Sequence, residues 1–289
     1  MRKMTKGQRI FNYMNSIFLS LLGLSMVLPL INIIAQSFSS SAAINTGAVS
    51  LWPVDATLSN YKVIVGDSLI WRSFLNSVII TVVGTLINLA ATATLAYPLS
   101  RQEYLFRKPV LIMVLCTMIF SAPLIPNFLV IRELGLLDSL WALMLPMSIG
   151  AFHLFIMRSF FMSLPSELID SSRIDGCGEL GILWKIVLPL SKPALATLAI
   201  MYSVAHWNRY AEAIYFIRDR NLIPLQVRLR EVVFQNQFED PTNYMMLQTI
   251  SPEGVKMAVI VVGTIPIILV YPFLQKYFVK GMLLGSVKS

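Results

Sequence analysis

The chain has 289 residues, 56% of them hydrophobic and 13% charged, with a formal net charge of +8 and a mean hydropathy of +0.70. That balance excludes an ordinary soluble domain, in which apolar residues make up roughly 45–50%. The surplus of Lys and Arg lies scattered between apolar runs rather than in one patch, so it does not point to nucleic acid.

A bilayer core about 30 Å thick takes roughly 20 apolar residues per helix. Uncharged or nearly uncharged runs of that length predict an all-α integral membrane protein of about six transmembrane helices, near 17–36, 74–99, 110–131, 140–157, 193–213 and 255–277. The whole of 1–289 reads as one transmembrane domain. The first run is long and lacks a small-residue cleavage pattern, so it reads as a retained helix rather than a signal peptide. Segment 37–71 follows as an ordered outer excursion, in which Trp52, Tyr61 and Trp71 suit either an interfacial aromatic belt or substrate contact.

In the second run, Asn76, Thr81, Gly84, Thr85, Asn88, Ala91, Thr92 and Thr94 recur at three- and four-residue steps, the pattern of a helix-packing face. Pro123, Pro126, Pro146, Pro266 and Pro272 predict bends in later helices, since proline removes a donor and crowds the preceding turn. His153 and His206 stand apart from any ligand cluster, and each is expected to face the bundle interior with one hydrogen-bond partner. Cys116 in an apolar run and Cys177 in a loop read as free thiols. No motif for a metal, a catalytic nucleophile or a phosphate-binding loop occurs, so the chain itself carries no cofactor and no catalytic site.

Short-loop basic residues assign orientation. Arg2, Lys3, Lys6 and Arg9, then Arg101, Arg107 and Lys108, then Arg158, Arg173, Lys185 and Lys192, then Lys276, Lys280 and Lys288 place both termini and the loops at 101–108 and 158–192 in the cytoplasm of a multi-pass protein.

The loop at 164–189 predicts helix, glycine turn, helix. Ser163 can cap it, Pro165 fits the first turn, Glu167 complements the positive end of the helix dipole, and Gly176 and Gly178 break it. Leu164, Leu168 and Ile169 form an apolar edge, while Glu167, Asp170, Arg173 and Asp175 make the rest polar and largely acidic. A helix lying on a membrane surface favours Lys and Arg on its polar face, so a protein partner fits better.

This stretch resembles the EAA loop of binding-protein-dependent ABC importer permeases, whose pattern runs Glu-Ala-Ala, Asp-Gly-Ala, then Ile-x-Leu-Pro. Asp170, Ser171 and Ser172 stand at the Glu-Ala-Ala positions, Asp175 and Gly176 match, Cys177 replaces the alanine, and Ile186, Leu188 and Pro189 match the tail. Trp207, Asn208 and the run at 271–278 also resemble carbohydrate-uptake permeases, most closely the maltose-type second permease and the branch for complex and acidic oligosaccharides. The resemblance implies a type I ABC importer permease fold in a bacterial inner membrane and a cytoplasmic coupling helix over 167–183. Glu167, Asp170, Ser171, Ser172, Asp175, Gly176 and Leu183 would meet an ATPase subunit. It further implies a second, unlike permease, two ATP-binding subunits that hold ATP and magnesium, a substrate-binding protein, an oligosaccharide and surrounding lipid.

Sugar recognition uses aromatic faces with polar groups for hydroxyls and carboxylates. His206, Trp207, Asn208, Arg209 and Tyr210 offer both, though Arg209 and Glu212 also stand at pairing distance on a helix. Segment 215–254 is too long for a turn and reads as a docking loop, with Arg218, Arg220, Arg228 and Arg230 either steering an acidic partner or simply solvated. The expected cargo is an acidic, uronate-containing oligosaccharide such as alginate, or alternatively a neutral one such as a maltodextrin. A secondary transporter is the remaining alternative, but internal repeats and intramembrane charges arranged for ion coupling are not evident.

Overall fold

The computed structural model describes residues 6–120, 122–232 and 251–286, with side chains in the last stretch as far as 269. Every regular element among them is helical: α1 Lys6–Ser37, α2 Ser41–Asn45, α3 Ser59–Gly66, α4 Ser68–Ser100, α5 Arg107–Ile119, α6 Leu124–Glu133, α7 Trp141–Met144, α8 Ala151–Met162, α9 Ser166–Ile174, α10 Glu179–Ile182, α11 Leu188–Leu190, α12 Lys192–Trp207, α13 Ala211–Phe216, α14 Leu225–Arg230 and α15 Pro252–Ser286. A π turn at Leu183–Val187 joins α10 to α11, and a 3-10 turn occupies Arg220–Leu222. Among the described residues three helices are long and apolar enough to cross a bilayer, at Gly7–Ser37, Ser68–Ser100 and Pro252–Leu269. A fourth crossing is possible if Glu179–Leu190 and Lys192–Trp207, bent by 83° to one another, count as one broken span.

The expected spans at 110–131, 140–157 and 193–213 are therefore not single helices. The first is parted between α5 and α6, with Pro123 extended (ψ 163°) ahead of α6. The second is interrupted around Pro146 and resumes at α8 after an extended Gly150 (ψ 127°). In the third, α12 ends at Trp207 and α13 begins at Ala211. At the first two breaks a proline without an amide hydrogen, Pro123 and Pro146, interrupts the helix rather than bending it, whereas the third holds no proline. By contrast, α15 runs unbroken past Pro266 and Pro272.

The chain divides into two compact units, one comprising residues up to Ile70 with Leu229–Ile265 and the other Trp71–Arg228 with the chain from Pro266. In the first, α1 leaves its whole apolar window exposed, at a mean hydropathy of 2.4 with 0% of residues buried. Beyond it the excursion is ordered, as expected. Asn60, buried, donates to the carbonyls of Ser37 (2.9 Å) and Ser39 (3.2 Å). Ser251 donates its amide to Ser41 Oγ at 2.7 Å and its hydroxyl to Asn45 Oδ1 at 2.9 Å, tying the start of α15 to α2. Trp52 and Trp71 are exposed, whereas Tyr61 turns inward, its ring 4.9 Å from Phe38 and its hydroxyl 2.8 Å from Ser37 Oγ.

In the second unit the small and polar face of α4 packs as the spacing predicts. Asn76 Nδ2 donates to the Asn221 carbonyl (2.8 Å), Asn88 Nδ2 to the Met147 carbonyl (3.3 Å), and Thr92 Oγ1 lies 2.7 Å from Tyr202 Oη. The two asparagine bonds satisfy backbone carbonyls between helices, which lipid cannot do, and the third joins α4 to α12 side chain to side chain. Thr94 is the exception on that face and is exposed. Apolar packing centres on Ala93, Ala96, Leu99, Leu154, Met157, Phe161 and Leu198.

Candidate functional site

The 164–189 loop folds as two short arms around a tight turn. Pro165 (φ −57°, ψ 129°) sets the chain at the start of α9, and Glu167 lies in its first turn. Ser163 does not cap it as expected, because its hydroxyl donates back to the Phe160 carbonyl at 2.7 Å. Ser171 Oγ and Ser172 Oγ likewise fold back on the Leu168 carbonyl, at 3.2 and 2.6 Å. Hydroxyls satisfied in this way leave a narrow helix surface.

At the end of α9, Gly176 adopts φ +80°, Gly176 N donates to the Arg173 carbonyl (3.0 Å) and Cys177 N to the Ser172 carbonyl (2.9 Å). This pair of bonds closes a Schellman motif, which needs a left-handed residue that glycine supplies without side-chain strain. Gly178 is ordinary extended backbone (φ −70°, ψ 159°) and leads into α10.

Each arm has an inner and an outer side. Ile169, Ile182, Leu183 and Val187 are buried against the α4 and α8 cluster. Leu183, expected to meet an ATPase, is 2% exposed and so anchors the loop from within. Leu168 (44%), Ile174 (87%), Leu180 (70%) and Trp184 (60%) stay exposed. Apolar side chains left outside in this way form a surface available for contact. The acidic candidates Glu167, Asp170 and Asp175 are exposed with them.

An ionic cluster ties the arms together. Glu179 Oε1 accepts from Arg173 Nε at 2.7 Å, and Glu179 Oε2 accepts from Tyr97 Oη at 2.7 Å. Arg173 Nη1 lies 3.5 Å from both Glu103 Oε1 and Asp170 Oδ1. The hydrogen bond to Glu179 raises the Arg173 pKa above its usual value. Glu103 is held below the carboxylate range, first by its own backbone amide and then, after a small opposing effect of burial, by Arg173. Tyr97 and Glu179 are 82 residues apart and neither stands at a matched position of the loop pattern, which is why sequence reasoning did not single out either.

The proposed pathway residues gather at the break between α12 and α13. His206 is 3% exposed, with Nε2 3.5 Å from Asn88 Oδ1, and its Nδ1 has no partner among the described residues. Trp207 is buried edge-on to Phe74 at 5.9 Å. Arg209 is drawn to α7, Nη1 donating to the Leu143 carbonyl and Nη2 lying 3.8 Å from Met147 Sδ, rather than standing free for a sugar carboxylate. Tyr210 packs in a neighbouring cluster with Ile80 and Phe216, and Asn208 is exposed. His153 stacks on Tyr202 at 4.2 Å, with a ring angle of 26°. No group of three metal-binding side chains occurs among the described residues, and Cys116 and Cys177 are free.

Of the docking segment, 233–250 lies outside the described residues. Asp138 organises its beginning, with Oδ1 accepting from the amides of Arg218 (2.9 Å) and Asp219 (2.7 Å). Those bonds hold the carboxyl below its usual pKa. Arg228 is buried and so is withdrawn from any steering role.

Residues 92–284 match the family of binding-protein-dependent transport system inner membrane components. Protein LplC of Bacillus subtilis is 45% identical, the match covering 99% of this chain and 97% of that protein. The polygalacturonan/rhamnogalacturonan transport system permease protein YtcP of the same organism is also 45% identical, over 97% of this chain and 99% of its own. A chain from the crystal structure of a bacterial ABC transporter involved in the import of the acidic polysaccharide alginate superposes with a TM-score of 0.92 at 36% identity, covering 96% of this chain and 100% of that one.

Proposed function

The chain belongs to the family of binding-protein-dependent transport system inner membrane components, and from that premise we propose which sugar it moves, how it meets its ATPase and which way it faces. It is a sugar permease subunit of an ABC importer with the type I permease fold, and it works with ATPase and substrate-binding partners.

The finer reading is that it passes an acidic, uronate-containing oligosaccharide. Support comes from the relatives, one named for polygalacturonan and rhamnogalacturonan and one solved in an importer of acidic alginate. A neutral cargo is the second reading, favoured by an arabinooligosaccharide permease protein AraQ of Halalkalibacterium halodurans at 28% identity. A reconstituted complex tested with binding proteins loaded with uronic or neutral oligosaccharides decides between them. Stronger stimulation of ATP hydrolysis by uronic cargo than by neutral cargo is expected. Stimulation by neutral sugars alone would overturn the acidic reading.

Docking is carried by the Gly176 turn with Ile174, Leu180 and Trp184 exposed around it. Glu167, Asp170, Ser171, Ser172, Asp175 and Gly176 face one of two ATPase subunits, which supply the ATP and magnesium chemistry, while Leu183 braces the loop from inside. A second, unlike permease completes the pathway. Near it, Asn208 is open to the path, and His206, Trp207, Arg209 and Tyr210 shape its wall from behind.

Both termini and the 164–189 loop face the cytoplasm in this reading, because short-loop Lys and Arg favour that side. A single cysteine at Ser171, in a background lacking Cys116 and Cys177, is expected to resist an impermeant thiol reagent applied to the outside of intact cells. Labelling from outside would reverse the orientation.

A further inference from the structure

We propose that Glu179 is the positioning residue that passes movement of the 164–189 loop to helix α4, through a clasp with Arg173 and Tyr97. The proposal rests on the ATPase-docking reading and adds a transmission route within this chain.

The loop is held to the second unit by two kinds of contact. Ile169, Ile182, Leu183 and Val187 bury apolar surface, a non-directional attraction that tolerates sliding. Glu179 is different in kind. One carboxylate takes hydrogen bonds from Arg173 of α9 and Tyr97 of α4, both at 2.7 Å, while its own backbone starts α10. Charge-assisted hydrogen bonds are short and directional, so three elements are fixed to one side chain. Arg173 adds a looser tie to Glu103, 3.5 Å away on the connection after α4.

Beyond the clasp the path continues through rigid packing. Tyr97 is 5% exposed and meets Phe161 of α8 edge-on, with ring centres 6.4 Å apart at 77°. Arg158 of α8 donates from Nε to the Leu99 carbonyl at 2.8 Å, so the ends of α4 and α8 move together. A displacement of α9 therefore reaches both helices through Glu179 and Tyr97.

A purely stabilising role does not account for the cluster. The Arg173 side chain is 34% exposed, Glu179 55% and Glu103 66%, and ion pairs this open contribute little to folding. They also border a cavity of about 400 Å³ shared by Tyr97, Arg101, Tyr104 and Leu180, which gives the side chains room to shift. Distance and direction are what such a pair can transmit.

The test uses the full complex in proteoliposomes, with uptake and binding-protein-stimulated ATP hydrolysis measured together for wild type, Glu179→Ala, Tyr97→Phe and the double variant. Each single change is expected to lower sugar taken up per ATP about 5-fold, a coupling loss within the range of allosteric effects. The double variant should be no worse than Glu179→Ala, because both changes cut the same link, and Glu179→Gln should recover part of the ratio. A structural defect would instead lower complex abundance, with the ratio intact, and that result overturns the clasp. Additive losses, or an unchanged ratio in Tyr97→Phe, overturn it too. If wild type shows no stimulated hydrolysis, the docking reading falls and the clasp with it. Coupled wild type beside fully coupled Glu179→Ala removes the clasp alone.

Discussion

Gly176→Leu is expected to leave the permease abundant in the membrane and to abolish ATP-driven uptake. Gly176 adopts φ +80°, and a Cβ added there meets nothing within 4 Å. The cost inside this chain is thus backbone strain of about 1–2 kcal/mol, too little to unfold a packed bundle. What the leucine does meet is the ATPase surface proposed to lie against the turn. An interface hot spot is worth about 2–4 kcal/mol, so docking should weaken by about 30- to 700-fold. Gly176→Ala carries the same strain with little bulk, and Gly176→Asn suits the left-handed region, so both should retain more uptake. Co-purification with the ATPase, membrane abundance and uptake in proteoliposomes check it together. An abundant Gly176→Leu complex with normal coupled uptake would remove the docking assignment, while equal, proportionate losses of abundance and uptake for alanine and leucine would reduce the glycine to a helix terminator.

The second large effect falls on assembly. A methyl group at Gly84 would lie 2.6 Å from His206 Nε2 and 2.7 Å from His206 Cε1, and the histidine is only 3% exposed. Small residues let membrane helices approach closely, and here α4 and α12 have used all the room. Overpacking an interior typically costs about 1–3 kcal/mol, so Gly84→Ala should reduce membrane abundance about 5-fold or more and Gly84→Leu should nearly eliminate it. Combining Gly84→Ala with His206→Ala should return abundance toward wild type, because the ring that the methyl strikes is gone. Quantitative blotting of membranes measures both. Full abundance of Gly84→Leu would show that this contact is not made.

These two glycines illustrate what was legible in the sequence and what was not. Gly176 stood in a recognisable loop, and its helix–turn–helix surroundings folded as the residues predict. Gly84 lay on a face read correctly as packing, because small and polar residues at helical spacing have few other uses in a bilayer. The helix breaks were not legible. Around Pro146 the apolar run continues through the break, and Asn208–Tyr210 reads as polar residues awaiting a ligand rather than as a helix end, while neighbours such as Asn88 and Arg209 satisfy the interrupted backbone. The same contacts hid the role of Arg209, which from composition alone looks like a group awaiting a sugar acid. Glu179 was hidden for another reason: its meaning depends on Tyr97, a partner that no local pattern connects to it.

The bare surface of α1 has a consequence for how the protein is made. With a mean hydropathy of 2.4 and no buried residue in its window, α1 can enter the bilayer as a single finished helix, its backbone bonds closed within itself. For α4 the situation is different. The acceptor for its Asn88 amide at Met147 lies 59 residues later, and that for its Asn76 amide at Asn221 lies 145 residues later. Both amides must wait in lipid or in the insertion machinery for later helices, and Asn76 waits until most of the polypeptide has been synthesised. During that interval α4 carries unpaired amides, a burden from which α1 is free.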